Sequence, residues 1–405
     1  MDDSLTRFFL SKRWPIVLLL CVQLLAGVIL SPLRAFFPIY VNEQLHYTAT
    51  VVSTIVAAGQ FIGMMTAIVG GTLSDSIGHK WTLALGLTGV ALGSSLYFTR
   101  APWLVVALWI TSIIGMTLIT LGGQSYLIAT VSGANLGALS ALYNWGSTLG
   151  GALSNPGAGW LLDHYSFGAL GWALLIISVM AALVAAGLLP RHQQTATATT
   201  AKGFRAFASY GTIIRRPPVL ILGMLRFLPT CYWGMASVLI PLLIKAHAGN
   251  NTAVAMYTTS SLVIASLAQI ITGRAADRWG RRTPTLIAFG ALTAATVGLA
   301  LFARTVWGIY TFGILGASAA WSLSTLMPSL ISEASTTEER GRVLGVLHLL
   351  WNTGMIVGSL LGGALVEVAV GLPFAVAALL NVVAIVLTVT FFRLIAHDNP
   401  PVPAT

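Results

Sequence analysis

The sequence predicts an all-α membrane protein of twelve transmembrane helices, arranged as two pseudo-symmetric six-helix bundles. Three observations carry this. Of 405 residues, 56% are hydrophobic and only 8% are charged, against roughly 25% charged in a soluble globular protein. Apolar runs of about 20 residues, enough to cross the hydrocarbon core, recur along the whole chain. A short charged segment after the second run returns in related form after the eighth. Too few charges remain to coat a water-exposed surface, so lipid is the solvent. The short alternating segments of a closed barrel are absent, so the spans are helices.

The elements follow in order. A polar stretch to Trp14 precedes the first run, 15–40, which lacks a small-residue cleavage site and reads as a retained span rather than a signal peptide. The next runs are 48–71, 81–99, 103–127, 138–161 and 168–189. Residues 190–217 then form the one long polar stretch. It includes the low-complexity run Gln193 to Thr200 and a basic, amphipathic segment around Phe204 and Phe207. Six further runs follow at 218–244, 253–273, 284–303, 306–330, 343–366 and 372–395. The expected division is therefore a bundle over 1–189, a linker over 190–217, a bundle over 218–396 and a disordered Pro-rich tail over 397–405.

Charge placement sets the topology. With the N-terminus inside, sixteen Lys and Arg residues fall in cytoplasmic segments and three, Arg100, Lys245 and Arg304, in outer loops. That bias places both termini in the cytoplasm and the protein in the cytoplasmic (inner) membrane. It also accounts for the net charge of +10 without nucleic acid. Cys21 and Cys231 both lie in apolar runs, which excludes a disulfide framework or a four-cysteine metal site. No phosphate-binding G-x-x-x-x-G-K-[ST] loop, H-E-x-x-H or G-x-S-x-G motif is present, so neither enzyme chemistry nor a cofactor or metal is expected.

The halves match in detail. Pro38 and Pro241, Gly151 and Gly354, and Gly159 and Gly362 keep one common offset. The repeated segment reads Gly71-Thr72-Leu73-Ser74-Asp75-Ser76-Ile77-Gly78-His79-Lys80 in the first half. In the second it reads Gly273-Arg274-Ala275-Ala276-Asp277-Arg278-Trp279-Gly280-Arg281-Arg282. This pattern resembles the G-x-x-x-D-R-x-G-R-R/K signature of the major facilitator superfamily. The second copy matches throughout. The first keeps Gly71, Asp75, Gly78 and Lys80 and departs at Ser76 and His79. The resemblance covers the whole chain. It implies a secondary transporter working by alternating access around a midplane site, as a monomer in the lipid bilayer.

The segment has a physical reading of its own. Gly71 and Gly273 are expected to let helix ends approach closely, and Gly78 and Gly280 to permit a tight turn. The aspartates can face the positive end of a neighbouring helix, with Asp75 aimed at the start of span 11 near Arg340, Gly341 and Arg342. In the family such a loop is implied to latch the cytoplasmic side. Glu333, Glu338 and Glu339 stand close to Arg278, Arg281 and Arg282, whereas Ala129 to Asn135 carries no charge. A charge network is therefore expected beneath the second half and a thinner one beneath the first.

Span 5 reads Gly151-Ala152-Leu153-Ser154-Asn155-Pro156-Gly157-Ala158-Gly159-Trp160. It is partly similar to the G-x-x-x-G-P-x-x-G-G pattern of the family's proton antiporters, which tilts the reading toward export. The antiporter R-x-x-Q-G pattern of span 4 is replaced by Thr111, Ile114 and Gly115.

Polar residues at membrane depth are costly and mark candidate function. Arg34 and Arg226 lie within spans 1 and 7. Neither can be neutralised, and a guanidinium favours a carboxylate or phosphate. No Asp or Glu lies near the middle of a span, which disfavours a cationic substrate. Further candidates at mid-depth are Gln23, Gln60, Asn144, Trp145, Tyr232, Trp233, Trp321, Trp351 and Asn352. Aromatic walls with a few amides suit a small amphipathic solute. His348 is the candidate carrier of a coupling proton. The expected function is export of a small organic or amphipathic solute, with uptake or exchange of an organic anion as the alternative. A non-transporting sensor or scaffold would carry a sizeable output domain, yet the longest loop is the linker over 190–217.

Overall fold

A computed structural model describes residues 14–131, 136–190, 216–336 and 339–398. The linker and tail expectations fall mostly outside them. Within the described residues the chain is helical throughout, and each of the twelve expected runs forms a helix. In the first half these are α1 (Trp14–Gln44), α2 (Ala49–Ile77), α3 (His79–Ser94) with a 3₁₀ turn at Ser95–Phe98, α4 (Pro102–Thr130), α5 (Leu136–His164) and α6 (Phe167–Leu188). The second half gives α7 (Pro217–Ala248), α8 (Asn251–Trp279), α9 (Arg282–Phe302), α10 (Val306–Ala334), α11 (Arg340–Val368) and α12 (Leu372–Asp398). Eleven of them are long and apolar enough to cross a membrane, so the chain is an integral multi-pass membrane protein. The exception is α5, whose Asn144, Ser147, Thr148, Ser154 and Asn155 lower its hydropathy.

Most of the repeated charged segment is helix rather than loop. Residues 71–77 are the last turns of α2, and the corresponding residues to Trp279 end α8. Only the second glycine of each copy breaks the helix. Gly78 has φ of 94° and Gly280 of 74°, a region that a side chain disfavours. The expected role of the first glycines is corrected. Among the described residues, a side chain at Gly71 or Gly273 would meet nothing within 4 Å, so neither brings two described helix ends together. Both sit in open space, where the helix simply continues.

The chain divides into two compact units. One comprises Met1–Tyr47, Ala58–Thr197 and Asn250–Thr259. The other comprises Thr48–Ala57, Ala198–Gly249 and Ser260–Thr405. Helix pairing repeats between them. In the first, α1 packs on α4, α5 and α6, and α3 packs on α4 and α6. In the second, α7 packs on α10, α11 and α12, and α9 packs on α10 and α12. Small residues make these approaches possible. The main chain at Cys231 of α7 occupies the place a side chain at Gly358 of α11 would need. Ser147 stands in the same relation to Gly27 where α5 meets α1.

Candidate functional site

A cavity of about 180 Å³ opens inside the second unit among α7, α10 and α11. That is room for about six waters at liquid density, or for one end of an organic solute. Arg226, Pro229, Thr230 and Trp233 line it from α7, and Trp321, Ser324 and Met327 from α10. Trp351 closes it from α11. Spacings of three and four residues put each set on one helix face.

Arg226 organises the site. Its Nη1 donates to Ser324 Oγ at 2.8 Å. Its Cζ stands 6.0 Å from the centroid of the Trp351 ring, at the outer reach of a cation–π contact. The ring of His348, one turn earlier on α11, stacks on Trp351 with centroids 5.7 Å apart. Gln269 Nε2 reaches Trp321 O at 3.4 Å, and Thr272 Oγ1 donates to Ser322 Oγ at 2.8 Å. Those bonds tie α8 to α10 behind the cavity wall. No lining residue is acidic. The cavity can therefore take a carboxylate or another acceptor group beside Arg226, and a flat apolar body against the indoles.

Four of the sequence candidates, Arg226, Trp233, Trp321 and Trp351, thus come together. The others do not line this cavity. Tyr232 is buried, its hydroxyl filling the space beside Gly316. Asn352 is buried and donates within its own helix, to His348 O at 2.9 Å. Arg34, Gln23, Gln60, Asn144 and Trp145 belong to the first unit. There the Arg34 side chain is exposed, with Nε 3.3 Å from Met116 Sδ. Ser324, the direct partner of Arg226, is absent from the sequence candidates. Its spacing of one helical turn from Trp321 is the signal that could have found it.

The charged helix ends differ between the halves. In the second, Arg281 Nη1 and Glu333 Oε1 are 2.6 Å apart, joining the start of α9 to the end of α10. In the first, buried Ser74 bonds His79 Nδ1 at 2.9 Å across the turn, and Lys80 lies over the Trp81 ring. Glu339 does not join Arg278, Arg281 or Arg282 as the sequence suggested. It pairs with Arg216, which precedes α7, at 2.7 Å. The cause is position: Glu339 immediately precedes α11, which packs on α7. Glu338 lies outside the described residues, and Asp75 and Asp277 are both exposed.

The Arg216 hydrogen bond holds the Glu339 carboxyl below its ordinary value of 4.5. A lowered carboxylate pKa gives stability that is present above the unfolded value and lost as pH falls through the folded one. Thermal melts of wild type and Glu339→Gln should differ at pH 7 and converge as pH falls through the lowered carboxyl value. The difference should be small, because the Arg216 side chain is half exposed and solvent screens the pair.

Twelve helices, two glycine turns, helix pairing repeated between the halves and a cationic aromatic cavity together describe a polytopic membrane protein. The family comparison makes the class specific. The Major Facilitator Superfamily model matches residues 19–236 and 224–405, and the chain belongs to that superfamily. It is 28% identical over 187 residues to the tetracycline resistance protein, class H, of Pasteurella multocida, covering 43% of this chain and 44% of that protein. It is 31% identical over 109 residues to citrate exporter 1 of Yarrowia lipolytica, covering 27% of this chain and 16% of that protein. These matches span less than half the length of either relative. The solved structure of the nucleoside transporter NupG has the same fold, with a TM-score of 0.78 at 14% identity over 93% of this chain and 100% of that one.

Proposed function

We propose that this chain is a secondary active transporter that exports a small amphipathic solute carrying an anionic group. Alternating access operates through two six-helix halves, 1–189 and 218–396, joined by the linker 190–217. The observation that carries the substrate reading is Arg226. A permanently charged guanidinium stands in the first third of α7, in an aromatic cavity whose lining holds no carboxylate. Such a cation is costly at membrane depth unless an anion completes it. Arg34, exposed in the first half, is a second anion contact on this reading.

Export is favoured by the names of the relatives, one for resistance to tetracycline and one for citrate export. The charge bias supports a cytoplasmic-membrane protein with both termini inside. His348, stacked on the cavity wall, is the candidate for a coupling proton. The turns at Gly78 and Gly280, with Asp75, Asp277, Arg281 and Glu333, serve as the cytoplasmic latch. A monomer is the proposed assembly.

The test is a thermal-shift screen of the purified protein against organic anions, organic cations and lipids. Anions bearing an aromatic or aliphatic body should raise the melting temperature. Stabilisation by cations alone would overturn the substrate reading.

A further inference from the structure

The fifth helix of each half ends in the same small pattern. Gly159 is followed four residues later by Asp163, and Gly363 four residues later by Glu367. Both pairs sit at one spacing between the halves, and each docks on the start of a second helix. Asp163 Oδ1 accepts from Asn251 N at 2.6 Å and from Asn251 Nδ2 at 2.9 Å. Its Oδ2 accepts from Thr252 N at 2.8 Å and Thr252 Oγ1 at 2.6 Å. Glu367 Oε1 accepts from Thr50 N at 3.0 Å, and Thr50 Oγ1 donates to Gly363 O at 2.9 Å.

The glycines make room for both contacts. A side chain at Gly159 would fall 2.5 Å from Ala255 Cβ, and one at Gly363 would fall 2.6 Å from Ser53 Cβ. Ala255 and Ser53 are themselves fully buried, one turn into α8 and α2. The first turn of an α-helix leaves N–H groups unpaired and carries partial positive charge. Neither α2 nor α8 has an acid in its own first turn. The acid is supplied instead by the fifth helix of the opposite sequence half. Each contact lies inside one compact unit, so Asn250–Thr259 groups with the first half and Thr48–Ala57 with the second. The far ends of the same two helices carry the glycine turns at Gly78 and Gly280. At 29 residues each, α2 and α8 are about 43 Å long, so the contacts lie at the opposite end of those helices from the turns.

We propose that Asp163 and Glu367 are paired releasable clamps for the end of the transporter opposite the signature turns. The inference rests on the alternating-access reading above. While both acids cap their partner helices, α2 and α8 stay bound to the opposite half and that end is shut. Opening it requires the carboxylates to leave the helix starts. The Asp163 clamp, with four hydrogen bonds, is the stronger. An amide in either place has one donor nitrogen facing N–H donors and so loses half of the site.

The experiment uses full-length protein in nanodiscs with Cys21→Ser and Cys231→Ala. Spin labels go on Tyr165→Cys and Val368→Cys, and distances are read by double electron–electron resonance. Asp163→Asn should raise the ratio of long to short distances by roughly two- to thirtyfold, the range for one charge at a helix start. Glu367→Gln should raise it less, and the double variant most. Gly290→Ala, where the new side chain meets nothing within 4 Å among the described residues, should leave the distribution at wild type. If Asp163→Asn does not elute as a single folded species, Thr252→Val, which removes one clamp bond, takes its place and should shift the ratio in the same direction. Unchanged distances in the clamp variants would overturn the proposal. Anion binding at Arg226 is read separately by thermal shift. Clamp failure with intact binding, and binding failure with shifted distances, are therefore distinct results.

Discussion

Arg226→Ala should weaken binding of an anionic solute by roughly 10- to 150-fold, the equivalent of about 1.5–3 kcal/mol for hydrogen bonds to a charged group. The variant should remain folded. It removes a cation from a cavity and frees Ser324 Oγ, which water can satisfy. Arg226→Lys should recover little. An ammonium is a point charge and cannot offer two parallel N–H groups to a carboxylate while bonding Ser324. Isothermal titration with the best-stabilising anion checks both. Trp351→Ala should act on the apolar part of the solute instead, so its effect should grow with the size of the ligand's ring system.

Gly358→Val should abolish recovery of folded protein. The α7–α11 pair is among the most intimate in the chain, and main-chain atoms of Cys231 sit where the new side chain must go. Main chain cannot rotate away as a flexible side chain can. The helices must separate, and overpacking of this kind costs about 3 kcal/mol or more. Gly290→Ala provides the contrast. Nothing lies within 4 Å of a side chain there, and alanine in place of glycine favours a helix by about 1 kcal/mol. Monodisperse yield from size-exclusion chromatography should fall to background for Gly358→Val and hold or rise for Gly290→Ala.

The helices were legible because lipid imposes one simple demand. Every backbone polar group must be satisfied within its own segment, so long apolar runs become helices. Their ends were less legible. The repeated segment looked like a loop because it is charged, yet α2 and α8 run through it to Gly78 and Gly280. Charge says that water is near; it does not say that the helix has stopped. The positive φ at those glycines is the actual break. Gly71 and Gly273 were misread for the same reason, as contacts at a helix end that in fact continues into open space.

Legibility of the cavity followed cost. Arg226 and its tryptophans stood out because polar and aromatic groups at membrane depth need a reason. Ser324 did not, since a serine can satisfy itself within its own helix. Tyr232 and Asn352 carried the same signal as their neighbours but are spent on packing and an intrahelical bond. Asp163 and Glu367 carry no signal in the sequence beyond lying away from the middle of a span. Their meaning depends on which helix starts beside them, and only the fold supplies that.

The central claim is that a solute held at Arg226 is carried across by alternation of the two halves. Counterflow in proteoliposomes tests it most directly. Vesicles preloaded with an unlabelled anion that stabilises the protein should transiently accumulate the labelled anion above equilibrium. Arg226→Ala vesicles should show no overshoot. Tight binding to wild type with no counterflow by any such anion would contradict the account.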